Sequence, residues 1–336
     1  MELGFPLETI LVFVVLTVGG FFLDMYAHRA DKVVPLKSAI LWSLFWIGLA
    51  IAFGFYLEYR HGETVANLYF TGYALEKALS VDNLFVFMAL FSWFAIPDHL
   101  RHRVLYWGIV GAIVFRAIFV AIGTSLLAFG PWVELLFAAI VAYTAVLMLK
   151  ANDDDDELED YSEHVAYKFV RKIWPAYPKL AGNRFFLNRK EVETELAKPE
   201  NNKLSLDLSK SKTWVTPLFL CLAVVEVSDV MFAFDSVPAV IAVSREPLIV
   251  YSAMMFAILG LRTMYFVLEA MKRYLVHLEK AVIALLFFIA AKLALSATDH
   301  MFGHGYKIQP DVSLYVVLGV LALGVVASVF SREKAE

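Results

Sequence analysis

Residues 214–243 read WVTPLFLCLAVVEVSDVMFAFDSVPAVIAV, an apolar block that also carries three acidic side chains. About 20 apolar residues are enough for a helix to cross a hydrocarbon core roughly 30 Å thick. A charged side chain is expensive at that depth and usually marks a functional site. The block therefore predicts a transmembrane helix that places Glu226, Asp229 and Asp235 inside the membrane.

The whole chain has the composition of a membrane protein. Of its 336 residues, 60% are hydrophobic and 18% are charged, whereas soluble domains have about 45–50% and about 25%. This composition excludes an ordinary soluble enzyme and predicts an all-α polytopic membrane protein. The formal net charge of −4 provides no basic surface for nucleic acid. The expected partners are the lipid bilayer and a small ion, and the composition leaves the oligomeric state open.

Apolar blocks of this kind predict nine transmembrane spans. Their limits are 7–26, 39–57, 66–94, 104–125, 132–150, 214–243, 247–270, 280–297 and 312–330. Lysine and arginine are concentrated in the connections after spans 1, 3, 5, 7 and 9. The positive-inside rule then places the N-terminus outside and the C-terminus in the cytoplasm. We expect a multi-pass protein of the inner, or plasma, membrane.

The spans divide the chain into three regions. Residues 1–150 hold spans 1–5, residues 151–213 form a cytoplasmic loop, and residues 214–336 hold spans 6–9. The loop opens with an acidic run at 153–160 and continues with aromatic residues. It has two interpretations: a solvated, partly disordered linker, which like-charge blocks usually form, or a low-affinity cation sensor at the cytoplasmic mouth.

Two segments of the chain resemble each other. Residues 80–87 (SVDNLFVF) and 227–234 (VSDVMFAF) share an aspartate followed by two aromatic residues at the same spacing. Arg116 follows the first aspartate by 34 residues, and Arg262 follows the second by 33. Spans 3–5 and 6–8 are therefore predicted to be three-helix repeats. An odd number of helices per unit inverts the second copy, as in secondary transporters that bind their solute near the midplane.

The carboxylates of spans 3 and 6 form the candidate metal site. Five acids at helix centres would together cost roughly 12–17 kcal/mol on insertion scales, so cations, protons or arginines must neutralise them. Pro238 removes a backbone donor and predicts a break in span 6 that would free carbonyl oxygens. The candidate metal ligands are Glu76, Asp82, Asn83, Glu226, Asp229 and Asp235.

These ligands are hard oxygens, which favour Mn²⁺, Mg²⁺ or Ca²⁺ over Zn²⁺ or Cu⁺. We expect such an ion to be the transported solute, and we expect no cofactor. The supporting residues are oxygen donors and charge-balancing side chains: Asp24, Ser80, Ser228, Ser236, Arg116, Arg262 and Lys292. Asp24 lies near the end of span 1, where a ligand at the mouth of the pathway and a snorkelling surface charge are both open interpretations.

Other polar residues give weaker signals. Asp299, His300 and His304 follow span 8, and the two histidines have a spacing that could bind a transition metal. Histidines in surface loops are, however, usually solvated. The only cysteine, Cys221, excludes an intrachain disulfide, and we expect it to be buried among apolar residues.

Three motifs resemble the TerC family of integral membrane proteins, and most of all its nine-span Alx branch: residues 76–83 (EKALSVDN), 226–238 (EVSDVMFAFDSVP) and 256–262 (FAILGLR). The resemblance runs from about residue 8 to residue 330. The family was named for tellurite resistance, and the resemblance implies export of manganese from the cytoplasm.

The same resemblance implies that the acids of spans 3 and 6 form the transport site: Glu76, Asp82, Glu226, Asp229 and Asp235. One departure is visible near the end of span 5. Leu147 stands where the family often has a lysine, while Lys292 is kept in the second repeat.

Three hypotheses follow. In the first, the protein is a secondary transporter that exports Mn²⁺ and is coupled to proton entry. In the second, it is a membrane scaffold or part of a stress complex, and its intramembrane acids are structural. In the third, it is an intramembrane enzyme, but the chain has no metalloprotease or phosphate-loop motif. We therefore expect no enzymatic activity.

Overall fold

The computed structural model describes residues 4–27, 34–151, 160–199, 206, 208, 211–271, 277–304, 306 and 308–333. Helices make up most of this described part. They are α1 Leu7–Ala27, α2 Leu36–His61, α3 Glu63–Trp93, α4 Asp98–Leu126, α5 Pro131–Ala151, α6 Val165–Ile173, α7 Arg189–Leu196, α8 Pro217–Val243, α9 Pro247–Ile258, α10 Leu261–Met271, α11 Leu278–Phe302 and α12 Pro310–Glu333. Two short antiparallel strands, β1 Phe186–Asn188 and β2 Thr213–Val215, pair with each other.

The long helices confirm the all-α polytopic class. Seven of those described are long and apolar enough to cross a membrane: α1, α2, α4, α5, α8, α11 and α12. The pair α9 and α10 passes the same test together and is bent by 53°. Helix α3 has 31 residues and coincides with the predicted third span, but it is not among the described helices that pass this test. The count of nine spans, the inverted repeats and the three-region division stay predictions.

A helix break occurs, but not in the predicted span. Helix α8 runs from Pro217 to Val243 and passes through Pro238 without interruption, so the predicted break at Pro238 is wrong. Proline removes one intrahelical hydrogen bond, and a packed membrane helix tolerates that loss where neighbouring groups compensate for it. The break lies between α9 and α10, where Gly260 has a φ of +79°. A side chain at Gly260 would also meet Trp46, whose Cδ1 lies 2.5 Å from an added Cβ.

The packing of α3, α4 and α8 positions the candidate site. Helix α4 packs along α8, and α3 packs against both α8 and α9. Glycines on α4 permit a close approach, because Gly108 and Gly111 face Val225 and Glu226 of α8. Polar side chains in the middle of the three helices are therefore brought into one region.

Part of the loop at 151–213 is folded. Residues 160–199 and 211–215 form α6, α7 and the strand pair. Helix α7 and the strands enclose a small core of Tyr177, Leu187 and Trp214, whereas α6 packs against α8. Helix α7 begins with a capping box formed by Asn188 and Glu191. These described residues are folded, since they bury aromatic and aliphatic surface, and the choice between a linker and a cation sensor stays a prediction. Of the acidic run, only Asp160 lies within the described residues.

Candidate functional site

Arg116, in α4, joins acids from two other helices. Its Nη1 forms an ion pair with Glu76 on α3, and its Nη2 donates a hydrogen bond to Asp229 Oδ1 on α8 at 3.3 Å. All three residues are buried, with exposed fractions of 1% for Arg116, 0% for Glu76 and 5% for Asp229. The fork of a guanidinium group can hold two carboxylates at once. One arginine therefore serves an acid from each of the two predicted repeats.

Each of these two acids also has an oxygen without a hydrogen-bond partner among the described residues. These atoms are Glu76 Oε2 and Asp229 Oδ2, while Ser80 Oγ donates to the other Glu76 oxygen at 3.3 Å. In the same described part, Glu226 Oε2 and the Asn83 amide nitrogen are also buried without a partner. Most buried polar atoms are hydrogen-bonded, so such a group calls for an explanation, for example an ion or an ordered water.

Glu226 lies one helical turn before Asp229, on the same side of α8. Its carboxylate reaches the backbone of α4 at Gly111, and an added Cβ there would overlap the carboxylate. The usual role of a glycine in a membrane helix is to permit close helix packing. The structure gives it a second role, because only a residue without a side chain leaves room for Glu226.

The formal charges of this group do not cancel. When ionised, Glu76, Glu226 and Asp229 carry three negative charges, and Arg116 carries one positive charge. Carboxylate oxygens are the ligand type that hard divalent cations prefer, and a net charge of −2 is opposite to the charge of such an ion. The backbones of Asp82 and Asp235 lie in α3 and α8, but their side chains are outside the described part. Among the described side chains, no three His, Cys, Asp or Glu residues are arranged to hold a metal ion.

Arg262 does not pair with an acid of spans 3 or 6 in the described contacts. Its Nη2 donates to the Asp24 carboxylate at 2.8 Å and to the Asp24 carbonyl at 2.6 Å. Arg262 is in the first turn of α10, directly after the break at Gly260, and Asp24 is near the end of α1. This second ion pair, in which Arg262 is buried and Asp24 is partly buried, ties α1 to the broken helix.

Lys292, the lysine among the candidate residues, and Lys77 lie in different parts of the structure. Lys77, beside Glu76 in α3, donates from Nζ to the carbonyl of Ala257 in the last turn of α9 at 3.0 Å. Lys292, in α11, lines a cavity together with Arg245 and Ser296. The structure thus places Lys292 beside the connection between α8 and α9.

The remaining candidates have these positions. Ser228 and Ser236 are buried in α8, and Cys221 is buried as expected. His300 Nδ1 lies 3.2 Å from Arg245 Nη2, whereas His304 Nδ1 lies 3.6 Å from Asp299. The two histidines therefore contact different partners.

Comparison with known proteins identifies the family. The profile described as "Integral membrane protein TerC family" matches residues 61–336. Proteins named "Tellurium resistance protein TerC" from Serratia marcescens and from an Alcaligenes species are 68% and 66% identical over 336 residues. These matches cover 100% of this chain and 97% of each relative. A Shigella flexneri protein bearing the name Alx is 34% identical over 307 residues, which cover 89% of this chain and 87% of the relative. No solved structure matches the chain.

The family profile, the full-length relatives and the described membrane helices agree with the resemblance to the TerC family, although the two relatives named TerC are more similar to this chain than the relative bearing the name Alx. The chain belongs to the TerC family of integral membrane proteins.

Proposed function

We propose that this protein is a secondary transporter that exports a hard divalent cation, Mn²⁺ first of all, from the cytoplasm. The observation that carries the proposal is Arg116 held between Glu76 and Asp229. Each of those acids has a second buried oxygen without a partner among the described residues. The arrangement offers oxygen ligands to a bound metal cation. It also holds the guanidinium of Arg116, which neutralises the same acids when the metal cation is absent.

The cycle alternates between two ways of neutralising the same acids. A cation that enters between α3 and α8 takes the carboxylate oxygens and displaces the guanidinium of Arg116. When the ion leaves, Arg116 returns to Glu76 and Asp229, and protons neutralise the remaining charge. Two protons match one divalent ion, which makes proton entry the simplest driving force.

A driving force is needed because export of a cation works against a negative-inside potential. That potential is worth about 2.3 kcal/mol per charge for each 100 mV. The outward direction rests on what the family resemblance implies. The inner membrane, the external N-terminus and the cytoplasmic C-terminus rest on the distribution of lysine and arginine. The proposal assigns no catalytic step.

A second candidate function is a membrane scaffold within a resistance complex. The same ion pairs favour it, since Arg116 links α3, α4 and α8 as a structural tie would. Two relatives carry the name tellurium resistance protein. In this alternative the acids stabilise the bundle and no ion passes.

The deciding experiment is Mn²⁺ flux into proteoliposomes under an imposed pH gradient, with Mg²⁺ and Ca²⁺ as competitors. The test variant is Asp229→Asn. The matched control is Glu134→Gln, because Glu134 is also a buried acid in an ion pair, with Arg245 Nη2 at 2.6 Å. We expect the flux of wild type and Glu134→Gln to follow the pH gradient, and that of Asp229→Asn to be lost.

Two other results would count against transport. If folded wild-type protein moves none of the three ions, the scaffold function is the better account. If Asp229→Asn folds and transports as well as wild type, transport does not use this carboxylate.

A further inference from the structure

Helix α6 has an apolar face that no described residue covers. Val165, Phe169 and Ile173 are 75%, 63% and 48% exposed. Successive residues lie about 100° apart around an α-helix, so residues spaced by four form one stripe along it. Ala166 and Val170, on the neighbouring face, are buried, and α6 packs against α8.

A basic face borders this apolar stripe on the side away from the buried face. It consists of Lys168, Arg171 and Lys172, all of which are exposed. Lys168 forms an ion pair with Glu163, and Arg171 lies over the ring of Tyr167 with its Cζ 5.7 Å from the centroid. Going around α6, the surface therefore changes from buried apolar to exposed apolar and then to basic.

Aromatic contacts place α6 beside the ends of two long helices. The ring of Tyr167 lies 5.9 Å from that of Trp93, the last residue of α3. The ring of Trp174, which follows α6, lies 6.4 Å from that of Phe219 in the first turn of α8. Phe186 is half-exposed and its ring lies 4.3 Å from that of Phe219. Tryptophan and tyrosine gather where helices leave the hydrocarbon core, and these contacts place α6 beside the end of α3 and the start of α8.

We propose that α6 lies in the membrane interface and binds anionic phospholipid. Val165, Phe169 and Ile173 enter the boundary between headgroups and acyl chains. Lys168, Arg171 and Lys172 contact the phosphate groups of the same leaflet. A helix with apolar and basic faces side by side has the chemistry of an interfacial helix, and juxtamembrane basic residues attract anionic lipids. The inference does not depend on transport.

The test measures the depth of a nitroxide label in the full-length protein. Phe169→Cys supplies the labelling site, and Thr194→Cys, on the exposed part of α7, is the matched control. Native Cys221 is fully buried and is not expected to react with the label. Wild-type protein treated with the same label therefore provides the blank. The protein is placed in nanodiscs of phosphatidylcholine alone and of phosphatidylcholine with phosphatidylglycerol. Accessibility to oxygen, which concentrates in lipid, is compared with accessibility to a water-soluble nickel chelate.

We expect the ratio of oxygen to nickel accessibility at position 169 to be severalfold higher than at position 194 in discs with phosphatidylglycerol. The ratio at 169 should fall in discs of phosphatidylcholine alone. It should fall in the same way when Lys168, Arg171 and Lys172 are all replaced by glutamine.

Three results would overturn the proposal. The first is a label at position 169 that is more accessible to the nickel chelate than to oxygen in discs of both compositions. The second is a label depth that is the same with and without anionic lipid. Shielding in detergent that increases with protein concentration would instead identify a second copy of the chain as the occupant.

Discussion

Gly111 of α4 and the carboxylate of Glu226 on α8 lie so close together that a methyl group on Gly111 would overlap the carboxylate. The two residues are on different helices, and each limits the space that is available to the other. Glu226 can keep its position only while residue 111 lacks a side chain. Gly111 thus helps to position a proposed cation ligand.

Gly111→Ala is expected to displace Glu226. The Glu226 carboxylate is the end of a flexible side chain and can move away, so the loss of stability should be at the low end of the roughly 1–3 kcal/mol of an overpacked core, and Mn²⁺ flux should fall with the displacement. Thermal unfolding in detergent and proteoliposome flux measure the two effects. The control is Gly48→Ala, since an added Cβ at Gly48 meets no atom within 4 Å. In a protein that already carries Glu226→Ala, the further change Gly111→Ala should reduce thermal stability very little. If it reduces stability as much as it does in the wild type, the contact between the two residues is contradicted.

Arg116→Gln is expected to destabilise the protein by about 3–5 kcal/mol, because it leaves buried carboxylates without their cation. Adding Glu76→Gln should recover part of the loss by removing one of those charges. Arg116→Lys should not restore stability, since an ammonium group lacks the fork that reaches both acids.

Chemical denaturation measures these changes, with Arg60→Gln as the control. Arg60 pairs with Glu8 at 2.6 Å on the surface, where a pair is worth at most about 1 kcal/mol. Equal losses for Arg116→Gln and Arg60→Gln would show that the Arg116 ion pairs do not hold the bundle.

Gly260→Ala is expected to cost more than the same change at another glycine of positive φ. A left-handed backbone alone costs a residue with a side chain about 1–2 kcal/mol. Gly303 has a φ of +66° and open space around it, so Gly303→Ala measures that cost by itself. Overlap with Trp46 should add about 1–3 kcal/mol at Gly260. Similar midpoints for the two variants in thermal unfolding would rule out the tight contact with Trp46.

The start of the folded loop is expected to loosen in acid. The backbone N–H and the hydroxyl of Ser162 donate hydrogen bonds to the Asp160 carboxylate, and these lower its pKa from the usual value of 3.8. Since the folded-state pKa is the lower one, the stabilisation is complete above the unfolded-state value and is lost as the pH falls through the folded-state value. The amide hydrogens of residues 161–173 should therefore lose protection against exchange, relative to their intrinsic rates, below about pH 4.

Asp160→Asn should remove this pH dependence, since the amide does not ionise in that range. Hydrogen exchange of wild type and variant is compared at each pH, because this comparison removes the effect of pH on the intrinsic exchange rate. A wild-type profile that matches the variant from pH 5 to pH 3 would assign the acid sensitivity, if any, to other groups.

Sequence patterns predicted the elements well and the irregular places poorly. The ends of the predicted spans agree with those of the described helices to within several residues, because apolar block length sets helix length in a membrane. Pro238 was the stronger signal for a break, yet α8 continues through it. No pattern in the sequence pointed to a bend at Gly260, yet its positive φ marks one. Whether a helix tolerates a proline or bends at a glycine depends on its neighbours, which a single span does not reveal.

The sequence by itself determined that this is a polytopic helical membrane protein of the TerC family with acids inside its spans. Composition and the length of each apolar block can be read directly along the chain. The energetic cost of a charge in the membrane follows from its position within such a block. Only the tertiary structure decided which charges meet. Arg116 pairs with Glu76 and Asp229, while Arg262 pairs with Asp24. Spacing along the chain sets a residue's height and face on its own helix, but partners on other helices depend on how the helices pack.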